Sequence, residues 1–106
     1  MTDTNVRVVF ISTPREEAPR FAKTLVDTGL AACVNIIPKM ESYYRWEDKT
    51  QRDEEALLIV KTSAATMEKL QEFVDINHPY DLPEVIALPI TEGLPAYLQW
   101  IRDESE

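Results

Sequence analysis

What this sequence has little of narrows its work more than what it has in plenty. It carries one cysteine, Cys33, so no disulfide can form within the chain, and one histidine, His78. There is no CxxC or HxxH spacing either, which excludes a self-contained tetrahedral zinc site. Glycine occurs only at Gly29 and Gly93, leaving no glycine-rich loop to cradle a phosphate or form an oxyanion turn. Bases are scarce: 11 Lys and Arg stand against 19 Asp and Glu, for a formal net charge of −8. No stretch gathers the bases among aromatics, so a nucleic-acid partner is disfavoured. No apolar run approaches the roughly 20 residues that cross a bilayer. The opening Met1-Thr2-Asp3-Thr4-Asn5 lacks the basic start and apolar run of an export signal. The expectation is no membrane role and a reducing, cytoplasmic setting.

What is present suits one globular domain spanning 1–106, with 44% hydrophobic residues. Val6 to Ile11 is a β-branched run of strand length. Thr13, Pro14 and Glu16 have the spacing of a capping box, which opens a helix with Ala18, Phe21, Ala22, Leu25 and Val26 on one stripe. Gly29 is placed to end it in the left-handed region. Leu30 to Pro38 reads as a second strand, and Ser42 to Glu47 as an aromatic one. Asp48 to Asp53 reads as turn material, and Glu54 to Thr62 as the strand closing the hairpin. Ser63 is placed to cap a second helix with Met67, Leu70, Phe73 or Val74, and Asn77 on its stripe, ending before Pro79. Val85 to Ile90 is the last strand, Leu94 to Ile101 a short helix, and Asp103 to Glu106 a tail expected to fray.

This order predicts an α+β, ferredoxin-like (split βαβ) sandwich with an extended hairpin and a short C-terminal helix. Such a sheet carries two helices on one face. Strands such as Val6–Ile11 are apolar on both faces, so the open face calls for a cover, which other copies of the chain can supply.

Three blocks carry a family resemblance. Leu30-Ala31-Ala32-Cys33-Val34-Asn35-Ile36-Ile37-Pro38 is the first, and Ser42-Tyr43-Tyr44-Arg45-Trp46 with Lys49, Glu55 and Lys61-Thr62 the second. His78-Pro79-Tyr80-Asp81-Leu82-Pro83-Glu84, followed by Tyr97-Leu98 and Trp100, is the third. In this order they resemble the CutA1 divalent-cation-tolerance family over nearly the whole chain. The resemblance implies a PII-like homotrimer, a cytoplasmic or organellar location, and a link to copper and other divalent metal ions. The chain departs from the family pattern at Glu47-Asp48, where glycine is usual. It also lacks the extra strand-one cysteine of some members and has Asn77 where they have a histidine.

The candidate chemistry follows. His78 is an imidazole suited to Cu(II) or Zn(II), with the carboxylates of Asp81 and Glu84 at short spacing; its plainer role is to close the second helix. Cys33 is a soft ligand for Cu(I), or a small apolar filler. A Cys33–His78 nucleophilic pair would need an exposed, activated thiol, and with no oxyanion turn the expectation is a protein that is not an enzyme. Trp46, Glu55, Lys61 and Tyr80, with Glu84, are the polar and aromatic residues of the family blocks. They are expected either around a cleft between subunits or as packing between them. The alternative to a cation-tolerance protein is a PII-like signalling or interaction module that senses a small metabolite or docks a partner protein.

Overall fold

The computed structural model describes residues 3–106. The β-branched run opens it as β1 (Val6–Thr13), and a 3-10 turn (Arg15–Glu17) leads into α1 (Ala18–Asp27). Strands β2 (Cys33–Trp46) and β3 (Lys49–Ser63) make one long hairpin. A second 3-10 turn (Ala64–Thr66) leads into α2 (Met67–Asn77), followed by β4 (Ile86–Pro89) and α3 (Pro95–Glu104). The sheet order is β2-β3-β1-β4 with every pair antiparallel. This is the expected split βαβ arrangement, with β1 and β3 at the centre.

Side chains alternate across each strand, so the registers sort the sheet into two faces. Val9, Ile11, Ala56, Leu58 and Val60 form a closed core with Phe21 and Leu25 of α1 and Leu70 and Val74 of α2. The other face holds rows that the pairings line up: Cys33, Lys61, Val8 and Leu88; then Asn35, Ile59, Phe10 and Ile86; then Ile37, Leu57 and Ser12. Helix α3 covers one end of this face, packing Leu98 and Ile101 on Val6 and Ala32. Beyond it the layer is open: Ile37 is 44% exposed, Leu88 50% and Ile86 56%.

Several local expectations are corrected. Leu30–Pro38 and Ser42–Glu47 are not two strands: one strand starts at Cys33 and runs to Trp46, with a register shift between Ile37 and Met40. That irregularity takes in Pro38, which an edge strand tolerates because one side of it has no ladder to feed. The hairpin turn is only Glu47 and Asp48, with φ of 52° and 64°, and Lys49 to Asp53 already belong to β3. Thr13 does not cap a helix, because β1 persists through it, and its buried Oγ1 has no hydrogen-bond partner among the described residues. Ser63 makes no cap either; its hydroxyl donates to the Ser105 carbonyl. Asn77 falls outside the apolar stripe, exposed and donating to the Phe73 carbonyl.

The tail is docked rather than frayed. Ser105 is buried and donates to the Ile101 carbonyl, and Glu106 N–H donates to the Gly29 carbonyl at 2.8 Å. Gly29 ends α1 as expected, at φ 76°. A Cβ there would also stand 3.3 Å from the Glu106 carbonyl oxygen, so this glycine serves both the turn and the tail.

Candidate functional site

Where β1 runs out at Ser12 and Thr13, the segment after α2 crosses the end of the sheet, and His78 ties the two together. Tyr80 N–H donates to Nδ1 at 3.1 Å, which leaves the proton on Nε2 to be donated to the Ser12 carbonyl at 2.7 Å. The imidazole is therefore neutral and used at both nitrogens. It is buried, edge-on to Phe21 and tilted against Tyr80. A metal ion at His78 would have to displace one of these two hydrogen bonds.

Tyr80 faces the other way with its hydroxyl, donating to Glu55 Oε2 at 2.9 Å. Burial first, and this hydrogen bond second, hold the phenol well above the usual tyrosine range, so it stays a donor. Glu84 Oε1 accepts from the Ser12 hydroxyl at 3.4 Å. On the projecting part of the hairpin the Tyr44 hydroxyl donates to Asp53 Oδ2, a bond that keeps its phenol protonated above the usual range as well.

These groups line a groove of about 990 Å³ between the hairpin and the segment from Pro79 to Glu84. Its walls carry the rings of Tyr43, Tyr44, Trp46 and Tyr80, and its floor includes Phe10 and Leu57 of the open sheet face. Five carboxylates, Glu41, Asp53, Glu55, Asp81 and Glu84, stand in the lining against the guanidinium of Arg45. A smaller hollow of about 430 Å³ lies between α2 and the same segment, lined by Glu72, Asp75 and Asp81 and by no aromatic ring among the described residues, and it collects none of the other expected site residues.

Of the residues singled out in the sequence, Trp46, Glu55, Tyr80 and Glu84 come together in this groove, and His78 lies behind its wall. Cys33 and Lys61 do not. They pair directly across β2 and β3 on the open face, and both reach the Asn35 side-chain oxygen. Leu57, which pairs with Ser12 beside His78, is four residues from Lys61, about 13 Å along the strand. No Cys33–His78 pair is therefore made within a chain. Among the described residues no three His, Cys, Asp or Glu side chains converge to hold a metal ion, so a single chain does not fit a copper ion. Sequence reasoning missed Ser12, Tyr44 and Asp53. The signal available for Ser12 was a hydroxyl pair interrupting an apolar run just before Pro14.

The family model for the CutA1 divalent ion tolerance protein matches residues 7–104. The chain belongs to the CutA1 family. It is 50% identical over 99 residues to the divalent-cation tolerance protein CutA of Thermus thermophilus, covering 92% of this chain and 96% of that protein. The chloroplastic protein CutA of Arabidopsis thaliana is also 50% identical over 99 residues, and there this chain spans only 54% of the relative's length. Among solved structures, CutA1 from Oryza sativa superposes with a TM-score of 0.93 at 45% identity, covering 100% of this chain and 98% of that one. The PII-like protein CutA from Nostoc matches with a TM-score of 0.90 at 27% identity, over 94% of this chain and 97% of that one. The CutA1 fold, α+β and PII-like, is thus the fold of this chain. Among its described residues no helix is long and apolar enough to cross a membrane.

Proposed function

We propose that this CutA1-family chain works as a cytoplasmic homotrimer in divalent-cation tolerance, with copper its first ligand, held at a site built between copies. The carrying observation is the open sheet face. Phe10, Ile37, Leu57, Ile59, Ile86 and Leu88 form a continuous apolar layer that α3 covers only at one end. A layer of that kind is stable in water when another surface lies on it. The metal part follows from the separation of donors. Cys33 lies on the open face and Glu84 at the groove, so they can serve one ion only if they come from different copies.

Sedimentation equilibrium at micromolar concentration is expected to give three times the chain mass; a stable monomer would end this reading. Calorimetry with Cu(II) is expected to lose most of its heat in Cys33→Ser and Glu84→Gln, and unchanged binding in both variants removes these residues from the site. One observation favours a second reading. The groove is roomy and ring-lined, and the described residues of a single chain gather no three metal donors, which suits a PII-like module sensing a small metabolite. A thermal-shift screen separates the two: stabilisation by a metabolite but not by Cu(II) supports the module.

A further inference from the structure

Strand β3 carries an unbalanced charge at each end of its open-face row. Glu55, Leu57, Ile59 and Lys61 alternate onto that face, and Glu55 and Lys61 are six residues apart, about 20 Å along the strand. Glu55 is 7% exposed, and its hydrogen bond comes from the neutral Tyr80 phenol. Lys61 Nζ donates to the neutral amide oxygen of Asn35. Among the described residues neither charge belongs to an ion pair. Beside Lys61 in register stand Val8 and Cys33, with Leu88 beyond Val8, so its ammonium is set in the apolar layer. Covering that layer strips water from Lys61 and leaves it, among the described residues, only the neutral Asn35 amide oxygen to compensate. Whatever covers the layer has to bring a carboxylate.

The chain has that carboxylate at the other end of the same face. The groove opens onto the open face through Phe10, Ser12 and Leu57 and holds an excess of acids, two of them, Glu55 and Glu84, on opposite walls. Resting on the homotrimer reading, we propose that Lys61 of each copy enters the groove of the next and is the counter-ion of Glu55 and Glu84 there. The base-bearing end of one face meets the acid-bearing end of its neighbour, a head-to-tail contact of the kind that closes into a ring. Juxtaposing like ends would set Lys61 against Lys61 and groove against groove, which charge repulsion disfavours. Each groove is then incomplete in a lone chain. It consists of five rings and its carboxylates from one copy and an ammonium from another, and a divalent cation has to compete with that ammonium for Glu55 and Glu84.

A zero-length carbodiimide cross-link tests this on the intact assembly. Equal parts of 14N and 15N chains are mixed, unfolded and refolded together, coupled and digested. The expected product is a peptide joining Lys61 to Glu55 or Glu84 in mixed-isotope form, which only a link between two copies can give; within one chain Glu55 stands about 20 Å from Lys61 along the strand. In parallel, Lys61→Met is expected to weaken assembly tenfold or more. Lys61→Glu combined with Glu84→Lys is expected to assemble better than either single variant. A trimer by sedimentation in which Lys61 joins neither acid, and in which Lys61→Met assembles like the wild type, overturns the pairing and leaves the homotrimer standing. A wild-type monomer overturns both.

Discussion

On one face of the sheet Val9, Ile11, Ala56, Leu58 and Val60 are shut away beneath α1 and α2; on the other, Phe10, Ile37, Leu57, Ile59 and Ile86 are half-buried or exposed. Strands β1 and β3 contribute to both sets, which are equally apolar, so composition does not distinguish them. Their polar neighbours do. The covered face ends in hydroxyls, Thr13 and Thr62, the second of which donates to the Leu30 carbonyl. The open face is punctuated by Glu55, Lys61, Asn35 and Cys33, groups that interact across a boundary rather than inside a sealed core. The lesson is that a face rich in aliphatics yet marked with unpaired charges belongs to an interface.

The sharpest way to break this contrast is a charge at the middle of the open layer. Ile59→Asp is expected to weaken assembly on the order of a thousandfold, the effect of burying an unpaired carboxylate, while circular dichroism keeps its folded form. A variant that sediments like the wild type would show the layer to be solvent-facing. On the covered side, Leu58→Ala is expected to cost about 3 kcal/mol in urea unfolding of the chain. Its neighbour Leu57→Ala should cost a dissociated chain less, about 1 kcal/mol, because that side chain is only partly buried. Equal costs for the two would erase the difference between the faces.

Smaller effects sharpen the picture. Thr13→Val removes a buried hydroxyl without a partner and is expected to raise stability by about 1 kcal/mol; a loss would reveal a partner for Oγ1. Asp48→Gly relieves a left-handed residue at the hairpin turn, for a gain of about 0.5 kcal/mol, measured as slower amide exchange from Tyr44 to Gln51.

The smallest change expected concerns alkaline pH. Tyr80 holds its proton more tightly folded than unfolded, so its contribution is whole below the ordinary tyrosine value of about 10 and drains away as pH rises through the higher folded value. Tyr80→Phe should flatten that decline between pH 10 and 12, and an unaltered slope would assign the decline to other groups, Tyr44 first.

Much of this was legible from residue order. The stripe from Ala18 to Leu25, the stop at Gly29 and the hairpin around residue 47 follow local rules that the tertiary structure leaves intact. The continuity of β2 through Pro38 was not, because a proline signals a break unless the strand lies at an edge, and edge position is a property of the whole sheet. The docked tail was hidden because the backbone hydrogen bond from Glu106 to Gly29 leaves no mark on a polar sequence. In the site, Trp46, Glu55, Tyr80 and Glu84 were found together, since they cluster in the recognised blocks. Lys61 belongs to the same blocks yet stands at the far end of β3, a separation that only the register displays.

The place of β1 has a consequence for how the chain is made. It precedes the other three strands in chain order and is a central one in the finished sheet, with Arg7 pairing Thr62 on one side and Pro89 on the other. A ribosome must deliver β3 before the first flank of β1 is satisfied, and β4 before the second. The β2–β3 hairpin, whose partners are near in sequence, can zip beforehand and wait as a template. Until then Val6 to Ile11 is a bare aliphatic ribbon, and it is the segment of the newborn chain most in need of a chaperone's attention.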